Sequence, residues 1–209
     1  MREVTLRVVA VASMPLFAVA VFAVVGALAG RSTVDRDGWQ TRVLYVGFVS
    51  AFAAAFVAAT GLDLSVAVEW WYPALALLGA LAYRVDTRLW AWWSGEQIRG
   101  GGRSLAWLAP SLVAPVPEEV LYRAGLDVVS ETVGPVGFVA VSAVLFGLAH
   151  LPRGRNEVVL KTIDGVLYAT VYALTGSVVA PVLAHFGYNV AFAWFVSDRR
   201  RSTRGVGER

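Results

Sequence analysis

Seven runs of apolar residues recur along the 209-residue chain, and they constrain its fold more than any other feature. They lie at about 6–29, 43–60, 70–83, 104–133, 135–151, 158–174 and 177–196, and they are rich in Ala, Val and Leu. A helix of roughly 20 apolar residues crosses the hydrocarbon core of a bilayer. Inside lipid each unpaired backbone group costs several kcal/mol, so runs of this length must fold as helices. The sequence therefore predicts an all-α, polytopic membrane bundle of about seven transmembrane helices, or eight if the broken run 104–133 is miscounted.

Composition agrees. Hydrophobic residues make up 57% of the chain and charged residues 16%, against about 45–50% and 25% in soluble domains. Too little polar surface exists to cover so much apolar volume. This excludes a disordered chain, a nucleic-acid-binding arm and a conventional soluble globule. The partners expected are membrane lipids and a membrane-associated peptide or protein, not nucleic acid. The absence of cysteine excludes disulfides, thiolate metal sites and a cysteine nucleophile.

The first run is broken only by Arg7 and ends in Ala27-Leu28-Ala29, which has the form of a signal-peptidase site. Its length exceeds the roughly 7–15 residues of a signal's apolar region, so a retained helix is expected. Between the runs, charge alternates. Segments 30–42 (Arg31, Arg36, Arg42), 84–103 (Arg84, Arg88, Arg99, Arg103) and 152–161 (Arg153, Arg155, Lys161) are basic, as is the tail with Arg199, Arg200, Arg201, Arg204 and Arg209. Segments 61–69 and 124–134 carry Asp63 and Glu69, and Asp127 and Glu131, without a base.

By the positive-inside rule the basic segments and the C-terminus face the cytoplasm. Arg2 and Arg7 conflict with this count, which puts the N-terminus outside; a missed helix would remove the conflict. Trp70, Trp71 and Tyr72 fall at an outer boundary, and Trp90, Trp92, Trp93 and Trp194 near inner ones. Segment 84–99 reads as a helix lying on the cytoplasmic surface. Gly100-Gly101-Gly102 reads as a hinge, since no G-K-[ST] follows. One Lys beside seventeen Arg suggests a GC-rich prokaryotic genome, hence a prokaryotic plasma membrane. The expected division is 1–103 for N-terminal helices and the interfacial segment, 104–198 for a catalytic core, and 199–209 for a basic cytoplasmic tail.

A charge near the centre of a membrane helix costs at least about 2.5–3.5 kcal/mol on insertion scales, so polar residues inside apolar runs carry the information. Three places qualify. In Pro117-Glu118-Glu119-Val120-Leu121-Tyr122-Arg123, proline suits a helix start at about Pro117, which puts both carboxylates in the first turn. Glu119 and Arg123 are four apart and can pair, whereas Glu118 points about a hundred degrees away and lacks a local partner. A carboxyl unpaired in low dielectric suits proton transfer; ordinary carboxylates at an interfacial helix start are the plainer alternative. Phe146-Gly147-Leu148-Ala149-His150 closes another run, where histidine could equally be an interface residue. His185 and Asn189, four apart in the last run, present an imidazole and an amide on one face; such pairs also serve as interhelical hydrogen bonds. Gathered in one cytoplasm-facing cavity, these residues would form an acid–base site.

The three blocks, Glu118-Glu119-x-x-x-Arg123, Phe146-x-x-x-His150 and His185-x-x-x-Asn189, resemble the three motifs of the CPBP family. That family comprises type II CAAX prenyl proteases and bacteriocin-processing or immunity proteins, often described as intramembrane metalloproteases. The resemblance spans about 104–196 and includes the Thr175-Gly176-Ser177 turn. It implies that Glu118 and His150 activate a water, that His185 and Asn189 stabilise the oxyanion, and that Glu119 and Arg123 hold the helix and orient Glu118. If a divalent metal such as zinc is present, Glu118, His150 and His185 are the candidate ligands; water activated by Glu118 and His150 without a metal is favoured. The competing functions are a proton-coupled transporter and a non-catalytic immunity or assembly partner. Nothing in the sequence selects a lipidated substrate over another membrane peptide.

Overall fold

The computed structural model describes residues 2–28, 39–95 and 105–204, and the regular structure in them is entirely helical. The helices are α1 (Arg2–Leu28), α2 (Trp39–Thr60), α3 (Pro73–Ser94), α4 (Leu105–Val113), α5 (Pro115–Tyr122), α6 (Ser130–Leu148), α7 (Arg155–Thr175) and α8 (Val179–Arg204). Short 3-10 turns join α5 to α6 (Ala124–Val129) and α6 to α7 (Leu151–Arg153). Arg31, Arg36, Arg99, Arg103, Arg209 and the glycines 100–102 lie outside the described residues.

The protein is an all-helical integral membrane protein, and among the described residues four stretches, against the seven or eight crossings expected, meet the length and apolarity of a span. Stretches 2–25, 39–60, 109–148 and 155–175 are long and apolar enough to cross a membrane, and 179–195 is a shorter apolar helix. Two physical causes account for the difference. Helix α3 carries Arg84, Asp86 and Arg88 in its second half, so its apolar window is short. The stretch 109–148 is not one rod: it breaks at Ala114, at Arg123 and at Gly134.

Proline sets the first and last of those breaks. Helix α5 begins at Pro115 rather than Pro117. The first four amides of a helix have no intrahelical acceptor, so both prolines fit its first turn without losing a hydrogen bond. Before Pro135 the α conformation is disfavoured, and Gly134 takes φ 74° there, bending α6. Residues 84–94, expected to form a separate surface helix, continue α3, because nothing interrupts it before Gly95. Lys161, expected in a loop, lies within α7.

Close backbone contact shapes the bundle. Helix α3 lies along α8, and α6 along α7. A Cβ on Gly79 would strike the Ala184 carbonyl, and one on Gly187 the Ala76 carbonyl. Bare backbone at these two positions is what lets α3 and α8 touch, as small residues do in membrane bundles. The Thr175-Gly176-Ser177 turn is tied to the loop after α2: Ser177 Oγ donates to the Ala67 carbonyl (2.6 Å) and the Val178 amide to that of Ser65 (3.0 Å). The net effect is that α5, eight residues long, is enclosed by α2, α6 and α8.

Candidate active site

Helix α5 brings three charges into the interior. Glu119 and Arg123 are wholly inaccessible and Glu118 is 4% exposed. The expected i,i+4 pair forms, with Arg123 Nε 2.8 Å from Glu119 Oε2. It is a close charge contact rather than an aligned hydrogen bond. Arg123 Nη1 donates to Ser142 Oγ (2.6 Å), which donates in turn to the Tyr122 carbonyl (2.6 Å). The guanidinium carbon also lies 5.0 Å from the centre of the Phe146 ring and 5.9 Å from that of Tyr168. Cation–π contact of this kind is worth up to about 2 kcal/mol when desolvated. Glu118 has no partner on its own helix, as expected, yet it is held: Tyr45 Oη of α2 donates to Oε1 at 2.7 Å.

His185 of α8 reaches both carboxylates. Its Nδ1 is 2.8 Å from Glu119 Oε1, and its Nε2 is 3.8 Å from Glu118 Oε2. A carboxylate only accepts, so Nδ1 carries a proton and Nε2 points at Glu118. At 3.8 Å the two atoms are too far apart for a direct bond, but both can reach one water. Tyr168 stacks on the imidazole with ring centres 4.7 Å apart and planes 14° from parallel. The ring is therefore fixed in both position and tautomer.

His150 follows the end of α6, where its backbone (φ −93°, ψ 2°) has left the helix. Its Nδ1 is 2.9 Å from the Phe146 carbonyl. A carbonyl accepts, so Nδ1 holds the proton and Nε2 keeps its lone pair. Burial, reinforced by the nearby positive charges of Arg153 and Lys161, holds this imidazole well below its ordinary titration range. A neutral ring with a free Nε2 is a competent proton acceptor.

These groups do not all meet. Phe146 lies between the two histidines, with its ring centre 4.9 Å from that of His150 and 5.8 Å from that of His185. Among the described residues His150 makes no hydrogen bond or ion pair with Glu118, Glu119 or His185. Asn189, one turn beyond His185, donates Nδ2 to the Ser111 carbonyl of α4 at 2.6 Å. That bond fixes the amide plane and uses one of its two N–H groups.

Residues 101–191 match the family model described as Rce1-like, type II CAAX prenyl endopeptidase Rce1-like. Over this segment the chain is similar to that family. The segment contains Glu118, Glu119, Arg123, His150, His185 and Asn189, and it supports protease activity in a membrane at the family level. No curated protein and no solved structure matches the chain.

The alternative of a bound metal, the less favoured reading of the sequence, does not suit this site. Zinc needs nitrogen and oxygen donors converging at about 2.0–2.2 Å. The commitment of each Nδ1 leaves its Nε2 free to ligate, but the Phe146 ring contacts both imidazoles, and among the described residues no hydrogen bond or ion pair links His150 to Glu118. Among the described residues no three His, Asp or Glu side chains gather closely enough to hold an ion. Glu118, His150 and His185 thus do not fit as a ligand set.

Several residues of the site escape sequence reasoning. Ser142 carries the Arg123 guanidinium, and its one signal is a hydroxyl in an apolar run, eight residues before His150. Phe146 was visible within a motif but not as the ring that touches Tyr122, Arg123, His150, Tyr168 and His185. Beside the site, Lys161 Nζ contacts Asp164 Oδ2 (2.6 Å) and donates to Tyr188 Oη (2.7 Å), which donates to Asp86 Oδ2 (2.7 Å). This buried cluster joins α3, α7 and α8, and Tyr188 sits between His185 and Asn189 in sequence.

Proposed function

We propose that the protein is an intramembrane endopeptidase that hydrolyses a peptide bond of a membrane-associated protein or peptide. The observation that carries this is Glu118. It is a buried carboxylate without a charged partner on its helix, and its Oε2 shares a water's reach with His185 Nε2. Glu119 and Arg123 compensate each other, which leaves Glu118 available for proton transfer.

Glu118 takes the proton of the attacking water, and the Nε2 lone pair of His150 accepts that water's second hydrogen bond. As the water adds to the scissile carbonyl, charge develops on the carbonyl oxygen. The free N–H of Asn189 donates to that oxygen, and His185 does so when Nε2 is also protonated. Removing one such donor in other hydrolases costs about 2.7–4 kcal/mol of transition-state stabilisation. Collapse of the tetrahedral intermediate breaks the C–N bond, and the proton taken from water passes to the leaving amine. The Glu119 carboxylate stabilises the imidazolium of His185 through Nδ1, much as a buried acid orients histidine in a triad.

The test is cleavage of a quenched membrane peptide by the purified protein. Wild type cleaves it, and Glu118→Ala and His150→Ala do not, while Trp92→Ala, at an exposed position, behaves as wild type. Normal cleavage by the Glu118 and His150 variants would remove the protease reading. Uptake into liposomes that depends on Glu118 would put a carrier in its place.

A further inference from the structure

The family match ends short of α2, yet α2 touches the site at two points one turn apart. Tyr45 Oη donates to Glu118 Oε1 at 2.7 Å. Arg42, three residues earlier and so on the same face, donates Nη1 to Ser111 Oγ at 2.9 Å. Ser111 is the residue whose carbonyl takes the amide of Asn189 (2.6 Å). One turn of α2 therefore supports the carboxylate at one end of the site and the holder of the amide at the other.

We propose that Tyr45 is a positioning residue for Glu118. The two carboxylate oxygens are made inequivalent: Oε1 is bound by the phenol, and Oε2 is left facing His185 Nε2 at 3.8 Å. The terminal torsion of a glutamate is broad and roughly two-fold, so packing alone does not select this orientation. A phenol does, because it reaches across the helix gap on a stiff ring with only two side-chain torsions. The dependence of the site on the N-terminal half of the chain follows directly. The proposal rests on Glu118 being the acid–base group, and its test keeps the two apart.

The experiment measures kcat, KM and the thermal midpoint for peptide cleavage by the full chain. The proteins compared are wild type, Tyr45→Phe, Glu118→Gln, Glu118→Asp and the Tyr45→Phe/Glu118→Asp double variant. Tyr45→Phe removes one oxygen and keeps the ring. The expected result is a fall in kcat of about ten- to a hundredfold, the scale of a small misplacement at a reacting group, with KM unchanged and the midpoint lowered only by the lost hydrogen bond. Aspartate withdraws the carboxylate from the phenol by one methylene, so in the Glu118→Asp background the same change has no further effect. Wild-type kcat in Tyr45→Phe alongside inactive Glu118→Gln overturns the positioning role and leaves Glu118 as the acid–base group. Equal losses of kcat in both backgrounds also overturn it, since that is what a packing residue does. Full activity in Glu118→Gln overturns the reading of Glu118 itself.

Discussion

Arg123 lies at the centre of the interior charges, fully buried against one carboxylate, one hydroxyl and two aromatic rings. Removing one partner of a buried pair strands the other, which costs about 3–5 kcal/mol. Glu119→Gln is therefore expected to lower the thermal midpoint sharply in detergent, far more than Glu118→Gln, whose carboxylate has no Arg or Lys at contact distance among the described residues. Ser142→Ala leaves Arg123 Nη1 without its acceptor and is expected to cost about 1–3 kcal/mol in chemical denaturation. His150 adds a dependence on pH. An unfolded histidine titrates near pH 6.5, and burial holds the native ring well below that. In the interval the unfolded chain binds more protons, so the contribution to stability is complete above about pH 6.5 and falls as pH drops toward the native value. The midpoint difference between wild type and His150→Gln should shrink on acidification from pH 8 to 5; a constant difference would contradict it. At this scale spacing carries far. Glu119–Arg123 is an i,i+4 relation on one helix and is legible as such. Tyr45, Ser142 and the hub role of Phe146 depend on contacts across helices, which no local pattern encodes.

Elements owe their placement to glycine and proline more than to hydrophobic period. The contact of α3 with α8 depends on Gly79 and Gly187, and α8 carries His185 and Asn189 on either side of Gly187. Gly187→Ala must push α8 away from the Ala76 carbonyl. It is expected to cost about 1–3 kcal/mol, the usual range for overpacking, and to lower cleavage with it. Gly47→Ala on α2, where an added Cβ meets nothing within 4 Å, serves as the control and is expected to be neutral or slightly stabilising. Thermal midpoints and cleavage rates of the two variants check both statements. Helical class and the main apolar segments are readable from the sequence because lipid permits little else. Boundaries are not: Pro115 and Pro117 are both compatible with a helix start. The continuation of α3 past Arg84 is set by the buried Asp86–Tyr188–Lys161–Asp164 cluster, which forms only once α3, α7 and α8 are assembled.

For the whole molecule, the basic segments predict an orientation, although Lys161 is withdrawn from that count by its buried ion pair with Asp164. The turn after α6 carries Arg153 and is expected on the cytoplasmic side, with the loop before α3 opposite. The chain lacks cysteine, so single replacements report topology cleanly. Leu151→Cys should react with an impermeant maleimide only from the cytoplasmic face, and Trp70→Cys only from the other; the reverse pattern would invert the orientation. The central claim is narrower than topology: of two adjacent buried carboxylates, Glu118 does the chemistry and Glu119 holds the frame. The measurement that tests it most directly is the turnover of a membrane peptide by Glu118→Gln protein whose thermal midpoint matches wild type. Loss of cleavage by at least about a thousandfold, within the combined range of general-base catalysis, is predicted. Turnover near the wild-type rate in that folded protein would contradict it.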